Sequence, residues 1–158
     1  MTHQISPPTT SLYERDYCLW LEQTIRQLET GALNQLDSDN LIEELIGMSN
    51  SEKNALESNL RILLMHLLKY RYQPEKQTNS WLFTIREHRK RIIRALQKSP
   101  SLKPYYEQVF AECYQDGREL AADETGLSIA TFPLESPFTR EDALNVDYLP
   151  SEPSNSSC

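Results

Sequence analysis

The residues that could do chemistry in this chain are carboxylates and imidazoles on long helical stretches. Glu43, Glu44, Glu52 and His66 fall within one such stretch, and His88 lies on the next. In a helical bundle these groups could hold a metal, as in carboxylate-bridged di-iron sites. Those sites use Glu-x-x-His, which sets both ligands on one face a turn apart. This chain has no such spacing, and the adjacent Glu87 and His88 point apart. A pair such as Glu52 with a histidine could instead pass protons as acid and base. No Gly-rich phosphate loop and no Ser/His/Asp or Cys/His motif accompanies it. No metal, no cofactor and no catalytic residue is therefore assigned. A small hydrolase or metal-binding helical protein ranks third among the functional readings.

A different chemistry follows from where polar residues fall on the helical wheel. Leu56, Leu63, Leu67 and Tyr70 share one apolar stripe with Glu52, Asn59 and His66, which stand seven residues apart. At about 1.5 Å of rise per residue, Glu52 and His66 are roughly 21 Å apart along the axis, too far to form one site. Each must find a partner on another helix, because an unpaired buried polar group costs a few kcal/mol. On the next helical stretch Arg89 projects between Leu82 and Leu96, on the apolar side, with His88 near Ala95. An inward guanidinium suits a carboxylate. Glu52, Glu44 and Asp16 are the candidate acceptors, with Asp116 at the edge. The expectation is a buried polar network of Asp16, Glu44, Glu52, Asn59, His66, Arg89 and Asp116 that fixes helix register. On the opposite face Arg86, Lys90, Arg94 and Lys98, with Arg91 beside them, form a basic stripe over almost four turns. That stripe could bind an acidic protein helix or the phosphates of a nucleic acid.

Four helices must position these groups. The first is expected from about Leu12 to Glu29, with Tyr13, Tyr17, Trp20, Leu21, Thr24 and Leu28 on one face and Gly31 as its stop. The second is long, from the caps at Asp37 to Asn40 through to Tyr72. It reads as one helix kinked near Gly47, although Ser49 and Glu52 have the spacing of a capping box. Pro74 ends it. The third runs from Asn79 or Ser80 to Lys98, with Trp81, Ile85, Ile92, Ala95 and Leu96 inward. The fourth accepts Pro104 in its first turn and ends near Gly126, with Leu102, Tyr106, Val109, Cys113 and Leu120 inward. A mostly irregular segment follows, with one short helix from Thr139 towards Asn145 and enough apolar residues to wrap the bundle. Residues 1–11 read as a flexible arm, 12–149 as one helical domain and 150–158 as a disordered tail. The fold class is all-α: a four-helix bundle with a C-terminal irregular segment.

The 158 residues include only four glycines and carry a net charge of −7. Charge is distributed in blocks. Residues 1–59 have three basic and ten acidic side chains, residues 60–103 eleven and two, and residues 104–158 two and eleven. Such blocks suit either mutual attraction between helices or a basic surface kept for an acidic partner. Overall acidity weighs against a dedicated nucleic-acid binder. No run approaches the ~20 apolar residues of a membrane span, and the first ten residues do not read as a signal peptide. Cys18, Cys113 and Cys158 form neither a disulfide framework nor a zinc pattern, which points to a reducing cytoplasm.

Tyr13-Glu-Arg-Asp16 with Trp20, Leu41-Ile-Glu-Glu44, Leu64-Met-His66-Leu-Leu-Lys69-Tyr70 with Gln73-Pro74, Trp81 with Ile85-Arg-Glu-His-Arg89, and Ser99-Pro-Ser-Leu102 occur in one order. Together they resemble the bacterial family called domain of unknown function 29, common in cyanobacteria, over about residues 11–150. The resemblance implies a helical bundle of bacterial origin and carries over no catalytic residue. The favoured function is a non-enzymatic cytoplasmic interaction or regulatory protein with a protein partner. A nucleic-acid-associated factor using the basic third helix comes second.

Overall fold

The computed structural model describes residues 10–151. Most of the expected N-terminal arm (1–9) and C-terminal tail (152–158) lies outside them. The described residues form six α-helices and no strand, so the protein is all-α. Four of the helices are long: α2 (Tyr17–Glu29), α3 (Ser38–Tyr72), α4 (Asn79–Lys98) and α5 (Lys103–Thr125). Two are short: α1 (Leu12–Arg15) and α6 (Arg140–Leu144). None is long and apolar enough to cross a membrane. Residues 38–72 form one uninterrupted helix, so the capping-box spacing at Ser49 starts no second one.

The helix expected over 12–29 is broken at Asp16. This residue is extended, and its carboxylate accepts a hydrogen bond from the Leu19 backbone N–H at 3.0 Å. A short acidic side chain that satisfies an orphan N–H starts a helix more readily than it continues one. Ser11, placed in the arm by the sequence, caps α1 in the same way. Gly31 does end α2: its φ of 73° is left-handed, and the Ala32 N–H reaches back to the Gln27 carbonyl at 2.8 Å. Those are the marks of a Schellman stop, which favours glycine.

The chain divides into two compact units, residues 1–49 and 50–158. Among the described residues of the first, only Trp20 and Thr24 are buried. Tyr13 and Tyr17 both donate their hydroxyls to Glu44, and the Trp20 indole donates to Asp37, which also caps the start of α3 through Asn40. Tyr17 and Leu28, expected to face a core, are 44% and 49% exposed.

The second unit holds the main core. Leu56, Leu60, Leu63, Leu64, Leu67 and Leu68 of α3 are fully buried against Ile85, Ile92 and Leu96 of α4 and Val109, Phe110 and Tyr114 of α5. Gly117 permits the α3–α5 approach. A Cβ there would lie 3.1 Å from the Arg61 carbonyl oxygen and 3.2 Å from the Met65 nitrogen. Phe132 and Phe138 of the irregular segment plug the same core. Most of that segment has no helix to satisfy its carbonyls, so side chains do it. Arg118 donates to Phe132 and Ile129, Tyr114 to Pro133, Gln115 to Leu134 and Tyr106 to Arg140. Backbone acceptors removed from water need such partners.

Candidate interaction surface

Helix α4 is capped by Thr78, whose hydroxyl accepts from the Trp81 N–H. Its 3.6-residue period then turns Ile85, Arg89, Ile92 and Leu96 inward. Arg86, Lys90, Arg91, Arg94 and Lys98 are exposed, so the stripe faces away from the core as its spacing predicts. Among these five, only Arg91 has an ion-pair partner among the described residues, its own neighbour Glu87 at 3.3 Å. The cations at 86, 90 and 94 form an uncompensated ridge.

Beside the ridge lies a groove of about 450 Å³. Leu82, Ile85 and Ile93 form its apolar floor, Arg86, Lys90 and Arg94 its basic edge, and Val146 and Leu149 its far wall. Val146 is 71% exposed and Leu149 43%. Phe83, on the ridge side of α4, is 66% exposed. Nothing in the sequence pattern announced the groove, because its far wall comes from a segment without periodicity.

Arg89 sets that wall. It is buried, as expected, but the acceptors are not carboxylates. Its Nε donates to the Ala143 carbonyl at 2.9 Å and a terminal nitrogen donates to the Tyr148 carbonyl at 3.0 Å. Ala143 lies in the last turn of α6, where carbonyls lack helical partners and cations are favoured. The guanidinium therefore caps α6 and ties the irregular segment to α4. Burial pushes its pKa down, since no carboxylate offsets the lost hydration.

The seven residues expected to share one polar network do not meet. Glu44 is used by the two tyrosines, whose hydrogen bonds hold its carboxyl below the usual range and push Tyr13 up to about 12. Asp16 caps α2. Glu52 is exposed, because the core face of α3 begins only at Leu56. Asn59 is half-buried at the edge of that face. The His66 Nδ1 lies 3.0 Å from the Ile62 carbonyl of its own helix rather than reaching across the bundle. Partial burial lowers its pKa. Asp116 sits 3.8 Å from Arg61, with both side chains about 40% exposed. His88 bonds the Thr84 carbonyl one turn back. Among the described residues, no group of three or more His, Cys, Asp or Glu is placed to hold a metal ion. Burial pushes the Cys113 thiol up to about 12, which leaves it a packed apolar group.

Sequence reasoning passed over an ion pair of this unit whose cation is buried and whose carboxylate is exposed. Lys69 is only 4% exposed, donates to Glu124 at 2.6 Å and lies 4.6 Å from the centroid of Trp81. The available signal was a lysine between Leu67, Leu68 and Tyr70 on an otherwise apolar face.

The family model described as "Domain of unknown function DUF29" matches residues 12–149. No curated protein and no solved structure matches the chain.

Proposed function

We propose that this chain, which belongs to the DUF29 family, is a cytoplasmic, non-enzymatic interaction protein that binds an acidic helical segment of a protein partner along α4. The observation that carries the reading is the apolar groove beside an uncompensated basic ridge. An amphipathic acidic helix offers both complements at once: apolar side chains at i, i+3 and i+4 for the groove, and flanking carboxylates for Arg86, Lys90 and Arg94. A phosphate backbone would match the cations but leave Leu82, Ile93, Val146 and Leu149 facing water. A protein partner accounts for those apolar residues as well, which supports it over a nucleic acid.

The test is fluorescence anisotropy with two probes of equal negative charge, a designed acidic amphipathic helical peptide and a single-stranded oligonucleotide. The peptide should bind more tightly. Changing Arg86, Lys90 and Arg94 together to Gln should weaken it by about tenfold, and added salt should weaken it too. Tighter binding of the oligonucleotide, or a peptide affinity unmoved by the triple change, would sink the reading.

A further inference from the structure

The first third of α3 carries a surface with no evident structural use. Ile42, Leu45, Ile46 and Met48 are 54%, 56%, 54% and 64% exposed. Positions 42, 45 and 46 share one face at i, i+3 and i+4, with Met48 at its margin. Four large apolar side chains so close together on open surface mark an interaction site rather than ordinary exposure. Acidic residues flank them. From 37 to 52 the chain has Asp37, Asp39, Glu43, Glu44 and Glu52 and no basic residue. On the helical wheel Asp39 and Glu43 border the apolar stripe on one side and Glu52 on the other. This segment is itself an acidic amphipathic helix, the chemical class the α4 groove fits.

We infer that the occupant of the α4 groove is the 38–52 segment of a second copy of this chain. The inference rests on the reading of α4 given above and names the partner. Dimensions agree: the groove is lined from Leu82 to Gln97, about 22 Å of helix, and the segment from Ser38 to Glu52 is about 21 Å long. Charges agree as well, the acidic block of residues 1–59 meeting the basic block of residues 60–103. Each copy carries both a groove and an acidic segment, so two copies that exchange segments leave neither surface open. Doubling a helix-in-groove contact also brings the buried area towards the ~1,200–2,000 Å² of a stable interface.

A charge-swap experiment on the full chain tests this. Light scattering on a sizing column should give about twice the 18.4 kDa of one chain. The groove variant Arg86→Glu/Lys90→Glu/Arg94→Glu and the α3 variant Glu43→Lys/Glu52→Lys should each weaken the dimer by about a hundredfold or more, since each sets like charges face to face. Mixed in equal amounts, the two variants should restore it, because the basic 38–52 segment of one meets the acidic groove of the other and the converse contact also holds. The chain carrying all five changes should self-associate again. All these positions are exposed, and matched circular dichroism spectra, with melting curves compared at dilutions where every chain is monomeric, exclude misfolding as the cause of any loss. Failure of the mixture to restore the dimer overturns the inference, as does a dimer that survives both variants. A wild-type chain that stays monomeric while binding the acidic peptide probe overturns the inference and leaves the α4 reading intact. A monomer that ignores the probe overturns both.

Discussion

Arg89→Met should unpin the C-terminal segment from α4. Methionine replaces the stem of the side chain and keeps the site apolar, so little packing is lost. What goes is the guanidinium with its bonds to the Ala143 and Tyr148 carbonyls. Hydrogen bonds from a charged donor contribute about 1.5–3 kcal/mol each, and a stranded buried acceptor adds its own desolvation cost. Relief of the buried cation offsets part of this, since Arg89 itself resists burial. A net loss of about 3 kcal/mol follows. For a chain of this length each kcal/mol lowers Tm by about 2–4 °C, so the fall should be roughly 6–12 °C. Arg89→Lys should lie in between, because an ammonium on a shorter stem does not span both carbonyls. The control is the triple change of Arg86, Lys90 and Arg94 to Gln. Those cations stand four residues apart with like charge, so removing them relieves mild repulsion and should leave Tm within a few degrees. Melting followed by circular dichroism gives the global values, and hydrogen exchange over 138–150 locates the loosening. If Arg89→Met melts with the wild type while the triple variant unfolds, the inward and outward faces of α4 are the reverse of those described. Both the capping role and the interaction surface would then be wrong.

Gly117→Ala should lower stability by about 1–3 kcal/mol, because the added Cβ would press on the backbone of α3 at Arg61 and Met65; urea melts decide, and a neutral result would mean the helices separate freely. His66 has a folded pKa below its ordinary 6.5, so the unfolded chain takes up its proton first. Its contribution should be full above pH 6.5 and fade as pH falls through the folded value, and His66→Gln should flatten that part of the stability–pH curve. Mild alkylation at neutral pH should label exposed Cys18 quickly and buried Cys113 only after denaturation, as read by peptide mass spectrometry. Equal rates would contradict the packing of Cys113 against α3.

The sequence by itself determined what repeats with the helical period. An apolar residue every three or four positions left little freedom in the phase of α4, so Ile85, Ile92 and Leu96 read as inward and Arg86, Lys90 and Arg94 as outward from the sequence alone. Helix ends marked by Pro74, Gly31 and Gly126 were legible because those residues act through their own backbone. The inward turn of Arg89 was legible too, but its partners were not. Backbone carbonyls belong to every residue, and only the fold decides that those of Ala143 and Tyr148 lie within reach. Charge and type pointed to Glu44, Asp16, Glu52 or Asp116 instead, and each was claimed locally or left in water. The break at Asp16 shows the same limit at short range, since one carboxylate can cap a helix as easily as ride on it. Burial was the least legible property. The stripe on α3 continues from Tyr70 back past Leu56 to Glu52, yet it is covered only where α4 and α5 lie against it. The groove beside α4 needs a floor from a periodic helix and a wall from an aperiodic segment, and tertiary structure alone joins them.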